Sequence, residues 1–332
     1  MMIKRTDAHA AIALFSGGLD SILAVKWMQK CGYTVYPVFF LTPYMPPDRA
    51  ITSAMENGIK LIVRDISASH MAMMQNPVYG FGKHLNPCVD CHALMFKHAG
   101  EMMAELGADY LISGEVVGQR PMSQRRDAMN LVGKLSGYRD LLLRPLSQKI
   151  LADTLPIREG WVKKSDMLDF SGRGRNRQFE LAEALGVHSF PAPAGGCLLT
   201  DRNFTLRMRD LMQHESMDAE NLELIRFGRH FRLSPQCKLI VGRDEQDNNS
   251  LERVSKSGIK LFAKELTGPL GILTCPAPNP ELLGLALSIF WYYHKKGGEE
   301  GIVEVHYEDV IREYSTPRCN PQVLKKYHIA YD

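Results

Sequence analysis

The sequence predicts an α/β protein, a doubly wound parallel sheet followed by a second, smaller α+β domain. From Ala11 onward, short apolar segments alternate with longer helical ones. This alternation indicates right-handed βαβ crossovers and a parallel sheet covered on both faces. After about residue 205 the chain becomes charged and helical, and then forms several apolar strands around one apolar helix. We therefore expect domains at 1–205 and 236–332, joined by a helical linker at 206–235.

The first domain opens with the strand AIALF (11–15) and the helix SILAVKWMQKCG (21–32). The next segments alternate in the same way, in the order strand, helix, strand, helix, strand: TVYPVFFLT (34–42), PDRAITSAMENG (47–58), KLIVRDIS (60–67), HALMFKHAGEMMAELG (92–107) and ADYLISGE (108–115). DLLLRPLS (140–147) is expected to add one more strand. Residues 161–200 are richer in Gly, Pro and Arg, and FPAPAGGC (190–197) within them predicts loop.

The second domain contains four predicted strands, CKLIVGR (237–243), KLFAKEL (260–266), GILTCP (271–276) and GIVEVHY (301–307). Its most apolar segment, residues 280–298, predicts a buried helix, with Pro280 in the first turn and two glycines at the end. No apolar run approaches the roughly 18 residues that a membrane span needs. The charged segment 204–233 predicts helix.

Composition sets further bounds. The net charge is +3, from 40 basic and 37 acidic residues, so any nucleic-acid surface must be a local patch. The first ten residues lack the apolar region of a signal peptide. Seven cysteines, an odd number in a long chain, predict reduced thiols and a cytoplasmic protein rather than a disulfide framework.

The segment between the first strand and the first helix is SGGLDS, residues 16–21. Ligands of a parallel α/β sheet bind beyond the carboxyl ends of its strands, and a Gly-rich turn into a helix presents backbone N–H groups to phosphate. Gly17 and Gly18 allow close approach, Ser16 and Ser21 add hydroxyls, and Asp20 can hold Mg²⁺ or orient the loop. A simple helix cap needs only one such residue. No GxxxxGK[ST] motif occurs, which excludes a Walker-type site.

These residues carry a family resemblance over about residues 10–205. SGGLDS resembles the SGGxDS signature of the PP-loop ATP pyrophosphatases (adenine nucleotide alpha hydrolase-like), which adenylate a substrate. LISGEVVGQRPMSQ (111–124) and LLLRPLS (141–147) resemble motifs of the tRNA 4-thiouridine synthetases. NPCVDCHALMF (86–96) and GGCLLTD (195–201) are similar to the cysteine-bearing segments of the tRNA 2-thiouridylases.

The resemblance implies ATP-dependent thiolation of a tRNA uridine through adenylation of a carbonyl oxygen, with sulfur from a cysteine desulfurase, a persulfide carrier or sulfide. Two alternatives stay open: an adenylating enzyme that forms amides or acts on a small molecule, and an RNA-binding protein with a degenerate nucleotide site. The residues implied for ATP, with Mg²⁺ at Asp20, are Ser16, Gly17, Gly18, Asp20, Ser21, Phe39, Gly114, Glu115 and Gln119. The THUMP domain and rhodanese-like tail of some relatives are not evident.

Three cysteines are candidates for sulfur chemistry. Cys88 and Cys91 form a CxxC pair, and Cys197 lies on a distant Gly-rich loop. In some PP-loop thiolases such a set holds a 4Fe-4S cluster with one open iron position. In the 2-thiouridylase pattern Cys91 and Cys197 instead transfer a persulfide. The resemblance implies Cys91, Cys197 and Asp20 as the catalytic residues. The extra Cys88 favours the cluster. The other four, Cys31, Cys237, Cys275 and Cys319, are expected to pack as small apolar groups.

Two regions are candidates for RNA contact. SGRGRNRQ (171–178) carries Arg173, Arg175 and Arg177 at alternate positions of a glycine-rich loop. KLIVGRDEQDNNSLERVSKSG (238–258), together with the later apolar helix, resembles the NFACT-type RNA-binding domain through Arg243 and its neighbours. If this match holds, the second domain grips tRNA; otherwise it is structural or forms a homodimer.

Overall fold

The computed structural model describes residues 9–82, 84–120, 123–192, 197–275 and 277–330. The chain forms two compact units, Met1–Thr200 and Asp201–Asp332. None of the helices in these described ranges combines the length and the hydrophobicity that crossing a lipid bilayer requires.

The first unit contains a five-stranded parallel sheet in the order β3-β2-β1-β4-β5, which confirms the predicted fold class. Its strands are β1 (Ala10–Leu14), β2 (Thr34–Leu41), β3 (Ile62–Asp65), β4 (Tyr110–Ser113) and β5 (Leu142–Leu143). The chain runs outward from β1 through β2 to β3, and then returns to the other side of β1 with β4. The strand order therefore reverses between β1 and β4, and ligands of such sheets bind beyond the carboxyl ends of the strands at this point.

Both faces of this sheet are covered, because alternate residues of β1 point to opposite sides. Ala11 and Ala13 belong to a core that includes Ile22 of the first helix. Ile12 belongs to a second core around Phe96. The helices are α1 (Leu19–Lys30), α2 (Asp48–Glu56), α3 (Ser67–Gln75), α4 (Cys88–Glu101), α5 (Met103–Leu106), α6 (Arg126–Ser136), α7 (Leu155–Arg158) and α8 (Asn176–Ala184). Short 3₁₀ turns occupy Arg139–Leu141, Gln148–Ile150, Lys164–Asp166 and Leu198–Thr200.

Helices α1, α2 and α4 were predicted, whereas α3, α6 and α8 were not. Helix α8 lies in the segment 161–200, for which no helix was predicted. Its two buried residues are Gln178 and Ala182, one turn apart. Leu181 and Leu185 on the same face pack against the core but are only partly buried, so the apolar stripe of this helix is weak.

The second unit is the predicted smaller α+β domain. Its six-stranded antiparallel sheet has the order β11-β10-β8-β9-β7-β6. The strands are β6 (Arg229–Ser234), β7 (Cys237–Val241), β8 (Ile259–Ala263), β9 (Gly271–Leu273), β10 (Glu300–Tyr307) and β11 (Val310–Pro317). The helices are α9 (Arg202–His214), α10 (Ala219–Leu224), α11 (Glu245–Val254), α12 (Pro280–Tyr292) and α13 (Pro321–Tyr327). The apolar helix α12 is buried on the sheet through Phe290 and Trp291, as its composition predicts.

Residues 206–235, expected to form a helical linker, lie within this second unit. Gly228 has a φ of +75°, in the left-handed region, and the chain changes there from helix to strand. Strand β6 follows and pairs with β7 through Phe231 and Leu239. Phe231 and Leu233 are buried two residues apart, which is the period of a strand rather than of a helix.

Two cysteines expected to be reduced thiols, Cys237 and Cys275, form a disulfide with a Cα–Cα separation of 4.6 Å. Strands β7 and β9 are antiparallel and pair Leu239 with Leu273. Two residues before Leu239 on one strand and two residues after Leu273 on the other, the same register places Cys237 opposite Cys275. The sequence could not reveal this partnership, because strand register is decided by tertiary packing.

Candidate functional site

The loop after β1 is built around Gly17, which has a φ of +75°. A Cβ atom at this position would lie 2.8 Å from the Cα of Ala50, at the start of α2. The carbonyl of Gly17 also accepts a hydrogen bond of 2.8 Å from the Ser53 hydroxyl. Only glycine fits this turn, because both the backbone conformation and the space exclude a side chain.

The two serines of the loop bond to the loop itself. The Ser21 hydroxyl donates to the Gly18 carbonyl at 2.8 Å and accepts from the Ser16 amide at 3.3 Å. Gly18 is the N-cap residue of α1, and no side chain caps this helix. The helix-cap interpretation therefore fails. The Ser21 amide bonds to the Gly18 carbonyl, but among the described residues the Leu19 and Asp20 amides have no acceptor, so these two N–H groups can face an anion.

Strand β4 ends directly against this loop. A Cβ atom at Gly114 would lie 2.4 Å from the carbonyl oxygen of Asp20, so a glycine is required where β4 passes the first turn of α1. Leu14 at the end of β1 pairs with Ser113 at the end of β4. This packing brings Glu115 and Gln119 to the same sheet edge as the loop, as the resemblance implies.

Asp20 has two oxygens in very different surroundings. Gln119 Nε2 donates to Oδ2 at 2.6 Å, and Arg175 Nη2 donates to the same oxygen at 3.2 Å. Within the described part of the chain, Oδ1 is buried and has no hydrogen-bond partner. Burial raises the pKa of Asp20, although Arg175 and Gln119 act in the opposite direction. A buried carboxylate oxygen without a donor is the kind of ligand that Mg²⁺ prefers, so the residues present fit a magnesium ion here.

Glu115 is a buried carboxylate whose partners are complete. Arg144 Nε lies 2.8 Å from Oε2, and His92 Nδ1 lies 3.1 Å from Oε1. The Ser113 hydroxyl donates to Oε2 at 3.2 Å. Burial alone would raise the pKa of Glu115, but Arg144 and His92 outweigh it and lower the pKa to about 2. Glu115 is therefore ionised at neutral pH, and it ties the first turn of α4 to the end of β4.

The three candidate cysteines gather near that first turn. Cys88 and Cys91 lie three residues apart in α4, on one face of the helix. Cys91 is 9% exposed. Burial raises the pKa of the Cys91 thiol, and the neighbouring Cys197 and Cys88 raise it further. The same two effects, burial and Cys88, raise the pKa of Cys197 to about 11. The structure thus brings Cys197 close to the Cys88 and Cys91 pair, from which it is more than 100 residues away in sequence.

The thiols have polar neighbours of their own. His70 Nε2 lies 3.3 Å from Cys91 Sγ, and Asn86 Nδ2 donates to Cys88 Sγ at 3.3 Å. In the ranges that the structure describes, no three His, Cys, Asp or Glu side chains are grouped so that they could hold a metal ion. The 4Fe-4S cluster stays a prediction, because its three thiolates would each bind a different iron rather than converge on one ion.

The arginines expected to contact RNA have different surroundings. Arg173 is exposed. Arg175 lies at the nucleotide loop beside Asp20. Arg177 pairs with Asp169 at 2.5 Å and lies 4.4 Å from the centre of the Phe170 ring. In the second unit, Arg243 forms an ion pair with Asp247. Contact with RNA stays a prediction for all four: Arg173, Arg175, Arg177 and Arg243.

Phe39 lies in the hydrophobic core of the first unit and is 3% exposed, so as placed it stabilises the sheet. Four site residues were missed as such by sequence reasoning: His70, His92, Arg144 and Gln178. Arg144 and Gln178 stand inside segments that the sequence singled out, LLLRPLS and SGRGRNRQ. Their partners are 29 and 59 residues away, which no local pattern reveals. Gly195 and Gly196 of GGCLLTD lie outside the described residues.

Comparison with known proteins gives two family matches. Residues 7–150 match the family described as thiamine biosynthesis protein (ThiI), and residues 228–327 match the NFACT protein RNA binding domain. Both resemblances predicted from the sequence are confirmed.

Among curated proteins, the chain is 30% identical over 139 residues to a probable tRNA sulfurtransferase of Thermococcus kodakarensis, covering 40% of this chain and 36% of the relative. It is 30% identical over 108 residues to the tRNA-specific 2-thiouridylase of Desulfosudis oleivorans, covering 30% of each. The chain therefore spans about a third of the length of these two relatives.

Two solved structures are also similar. One is a 4-thiouridine synthetase–RNA complex with bound ATP, at 18% identity and a TM-score of 0.35, covering 54% of this chain and 52% of that one. The other is the C-terminal part of a fibronectin/fibrinogen-binding protein from Streptococcus suis, at 15% identity and a TM-score of 0.27, covering 47% of this chain and 79% of that one.

Proposed function

We propose that this protein uses ATP to replace a carbonyl oxygen of a tRNA uridine with sulfur. The proposal rests on one observation: a loop suited to bind a nucleotide and a helix that carries cysteines lie at the same edge of the sheet. The uncapped loop with the half-bonded Asp20 is suited to a triphosphate. The Glu115–His92 contact of 3.1 Å joins that edge to the helix of Cys88 and Cys91. The similarity to a probable tRNA sulfurtransferase and to a tRNA-specific 2-thiouridylase supports the same assignment.

In the first step, the loop amides and hydroxyls bind the phosphates, and the uridine carbonyl oxygen attacks the α-phosphorus. Pyrophosphate leaves, and the base carries AMP on its oxygen. Asp20 Oδ1 would hold Mg²⁺, which neutralises the charge of the leaving pyrophosphate. Adenylation converts a poor leaving oxygen into part of AMP.

The second step uses the thiols. Cys197 is more accessible than the buried Cys91, so we assign the persulfide to Cys197. Its terminal sulfur attacks the activated carbon, and AMP leaves with the original oxygen. The Cys91 sulfur then attacks Cys197 Sγ, which breaks the S–S bond, releases the thiocarbonyl and forms a Cys91–Cys197 disulfide, and the proton of the Cys91 thiol ends on the released thiouridine. A persulfide donor loads Cys197, and a dithiol reductant restores both thiols.

Exchange of labelled pyrophosphate into ATP tests this function against its alternatives. We expect exchange that depends on tRNA, and the loss of one thiolated nucleoside from the tRNA of a deletion strain, measured by mass spectrometry. Exchange without tRNA, dependent on a small carboxylate or amide, would favour the small-molecule enzyme. No exchange under any condition would favour an RNA-binding protein with a degenerate site.

Serine variants of the three cysteines separate the two sulfur routes. The persulfide route predicts that Cys91→Ser and Cys197→Ser are inactive, that Cys88→Ser is active, and that anaerobically purified protein is colourless. The cluster route predicts brown protein with about four irons per chain and no activity in any of the three variants. All variants should still bind ATP, because the loop does not include these residues.

We also propose that the second unit contacts the tRNA. The match of residues 228–327 to the NFACT protein RNA binding domain supports this. Ultraviolet cross-linking of the full chain to tRNA, followed by peptide mapping, should place cross-links within those residues. Cross-links confined to residues before 200 would contradict this role.

A further inference from the structure

The two oxygens of Asp20 are kept unequal by residues from two other parts of the chain. Gln119 and Arg175 both donate to Oδ2, at 2.6 Å and 3.2 Å. Neither donates to Oδ1, which is buried and has no hydrogen-bond partner among the described residues. A carboxylate group that rotates freely interchanges the positions of its two oxygens. The carboxylate of Asp20 therefore keeps one orientation only if the groups that donate to Oδ2 are themselves held in place.

The donor with the shorter contact is itself fixed by a third residue. Gln178 Nε2 donates to Gln119 Oε1 at 2.7 Å. A glutamine amide has an oxygen on one side and an NH₂ group on the other. Because Gln178 occupies the oxygen of Gln119, the NH₂ group must point toward Asp20. Gln178 is 1% exposed, so water does not compete for this contact.

The residues that contact Asp20 and Gln119 from outside the nucleotide motifs, Arg175 and Gln178, belong to the same helix. Arg175 is the N-cap residue of α8, and Gln178 is the third residue of that helix. Helix α8 therefore influences the orientation of the Asp20 carboxylate in two ways. Arg175 donates to the carboxylate directly, and Gln178 orients Gln119, which donates to it. The helix was not expected from the sequence, and the nucleotide motifs do not include it.

We propose that α8 is a positioning element for the cation that accompanies ATP: Gln178 orients Gln119, and Gln119 and Arg175 together fix Asp20 so that only Oδ1 faces the cation. Gln178 is a positioning residue: it donates to Gln119, its amide also lies near enough to Asp20 to lower the pKa of that carboxyl, and neither interaction needs ATP. The inference rests on the nucleotide-binding part of the proposed function and is independent of the thiolation step.

Gln178→Glu tests the inference by reversing the polarity of the contact. A carboxylate at 178 accepts from the Gln119 NH₂ group, which turns Gln119 Oε1 toward Asp20 and repels it. We expect ATP binding with Mg²⁺, measured by titration calorimetry, to weaken about tenfold or more, as loss of a charge-assisted hydrogen bond predicts. ATP binding in EDTA should change less than about twofold, because the phosphate loop is intact.

Two further variants make the test robust. Gln178→Met removes the donor without reversing the polarity, so we expect about a threefold loss that is again confined to the Mg²⁺ condition. Gln148→Glu is the matched control, because Gln148 is also 1% exposed in the same unit and makes its hydrogen bonds to Arg144 N and the Ala152 carbonyl. It should leave both affinities unchanged.

The inference is overturned if both Gln178 variants bind Mg²⁺–ATP like the wild type. It is also overturned if they weaken binding equally with and without Mg²⁺, or if Gln148→Glu reproduces the effect, since each result indicates a general packing role. If Gln178→Glu does not fold, the Gln178→Met result decides. Wild-type protein that binds Mg²⁺–ATP but never thiolates tRNA would refute the proposed function and leave this inference standing.

Discussion

Asp20 in the first unit and Asp247 in the second are both carboxylates in the first turn of a helix with an arginine beside them. Asp247 uses both oxygens. Oδ2 accepts from Gly228 N at 3.0 Å and from Arg243 N and Nε at 3.1 and 2.5 Å, and Oδ1 accepts from Arg243 Nη2 at 3.0 Å. Among the described residues, Asp20 accepts hydrogen bonds only at Oδ2.

The pKa shifts of these two groups have opposite signs. Burial would raise the pKa of Asp247, but the bonds from Arg243 and Gly228 outweigh it and lower the pKa. Burial raises the pKa of Asp20 despite Arg175. Asp247 therefore stabilises the fold when ionised, whereas an ionised Asp20 costs stability. The lesson is that a buried carboxylate with complete partners supports structure, and one with an open oxygen is available for a ligand.

The largest expected effect is on activity, from Asp20→Asn. Loss of the charge that binds the cation should reduce Mg²⁺-dependent ATP–pyrophosphate exchange by about 1,000-fold. The free energy of unfolding should stay equal or rise by up to about 1 kcal/mol, because an amide is cheaper to bury than a carboxylate. Exchange assays and urea unfolding measure the two quantities. Exchange within tenfold of the wild type, or a clear loss of stability, would put Asp20 in the same class as Asp247.

The next largest effect concerns Glu115, a carboxylate that lies at the site like Asp20 but has hydrogen-bond partners at both oxygens like Asp247. Arg144→Leu leaves the Glu115 carboxylate buried beside only His92 and Ser113, so we expect a loss of about 3–5 kcal/mol in the free energy of unfolding. Arg158→Leu is the control, because Arg158 pairs with Asp140 at the surface and its loss should not be measurable. Equal unfolding midpoints for the two variants would show that Glu115 is not stabilised by Arg144.

Asp247→Ala should cost about 2 kcal/mol at pH 7, since it leaves the Gly228 amide and part of Arg243 without an acceptor. ATP binding should not change. Because the pKa of Asp247 is lowered in the folded state, its stabilisation is present above the unfolded value of about 3.9 and is lost as the pH falls through the folded value. Urea unfolding from pH 7 to pH 3 should thus show the wild type and the variant converging. A difference that is constant with pH would attribute the effect to packing.

The smallest expected effect is on the salt dependence of tRNA binding. It is measured for two arginines of one loop, each changed to alanine in a separate variant. Among the described residues Arg173 has no ion-pair partner, whereas Arg177 is held by Asp169 and Phe170. If the loop contacts tRNA, Arg173→Ala should reduce the slope of log K against log salt by about 1, and Arg177→Ala by less. Filter binding from low to moderate salt measures the slope. Equal slopes for both variants and the wild type would identify this loop as ordinary surface.

Much of the first unit could be predicted from the sequence because its signals are local. Apolar runs separated by helices indicate a parallel sheet, and the first glycine of SGGLDS, Gly17, is needed by a turn that packs against Ala50. The elements that escaped prediction carry weak local signals. Helix α8 buries a glutamine and an alanine, and β6 follows a helical, charged segment in which only Gly228 indicates the change.

The sequence by itself therefore determined the sheet, the loop at the end of its first strand, and the residue types that chemistry there would require. Tertiary structure alone decided how Asp20 is held. Its two donors, Gln119 and Arg175, come from 99 and 155 residues along the chain. Helix and strand patterns arise from contacts within a few residues, whereas the hydrogen bonds of a buried carboxylate depend on which distant segments the completed fold brings to it. Only the folded chain could leave one oxygen bonded and the other free.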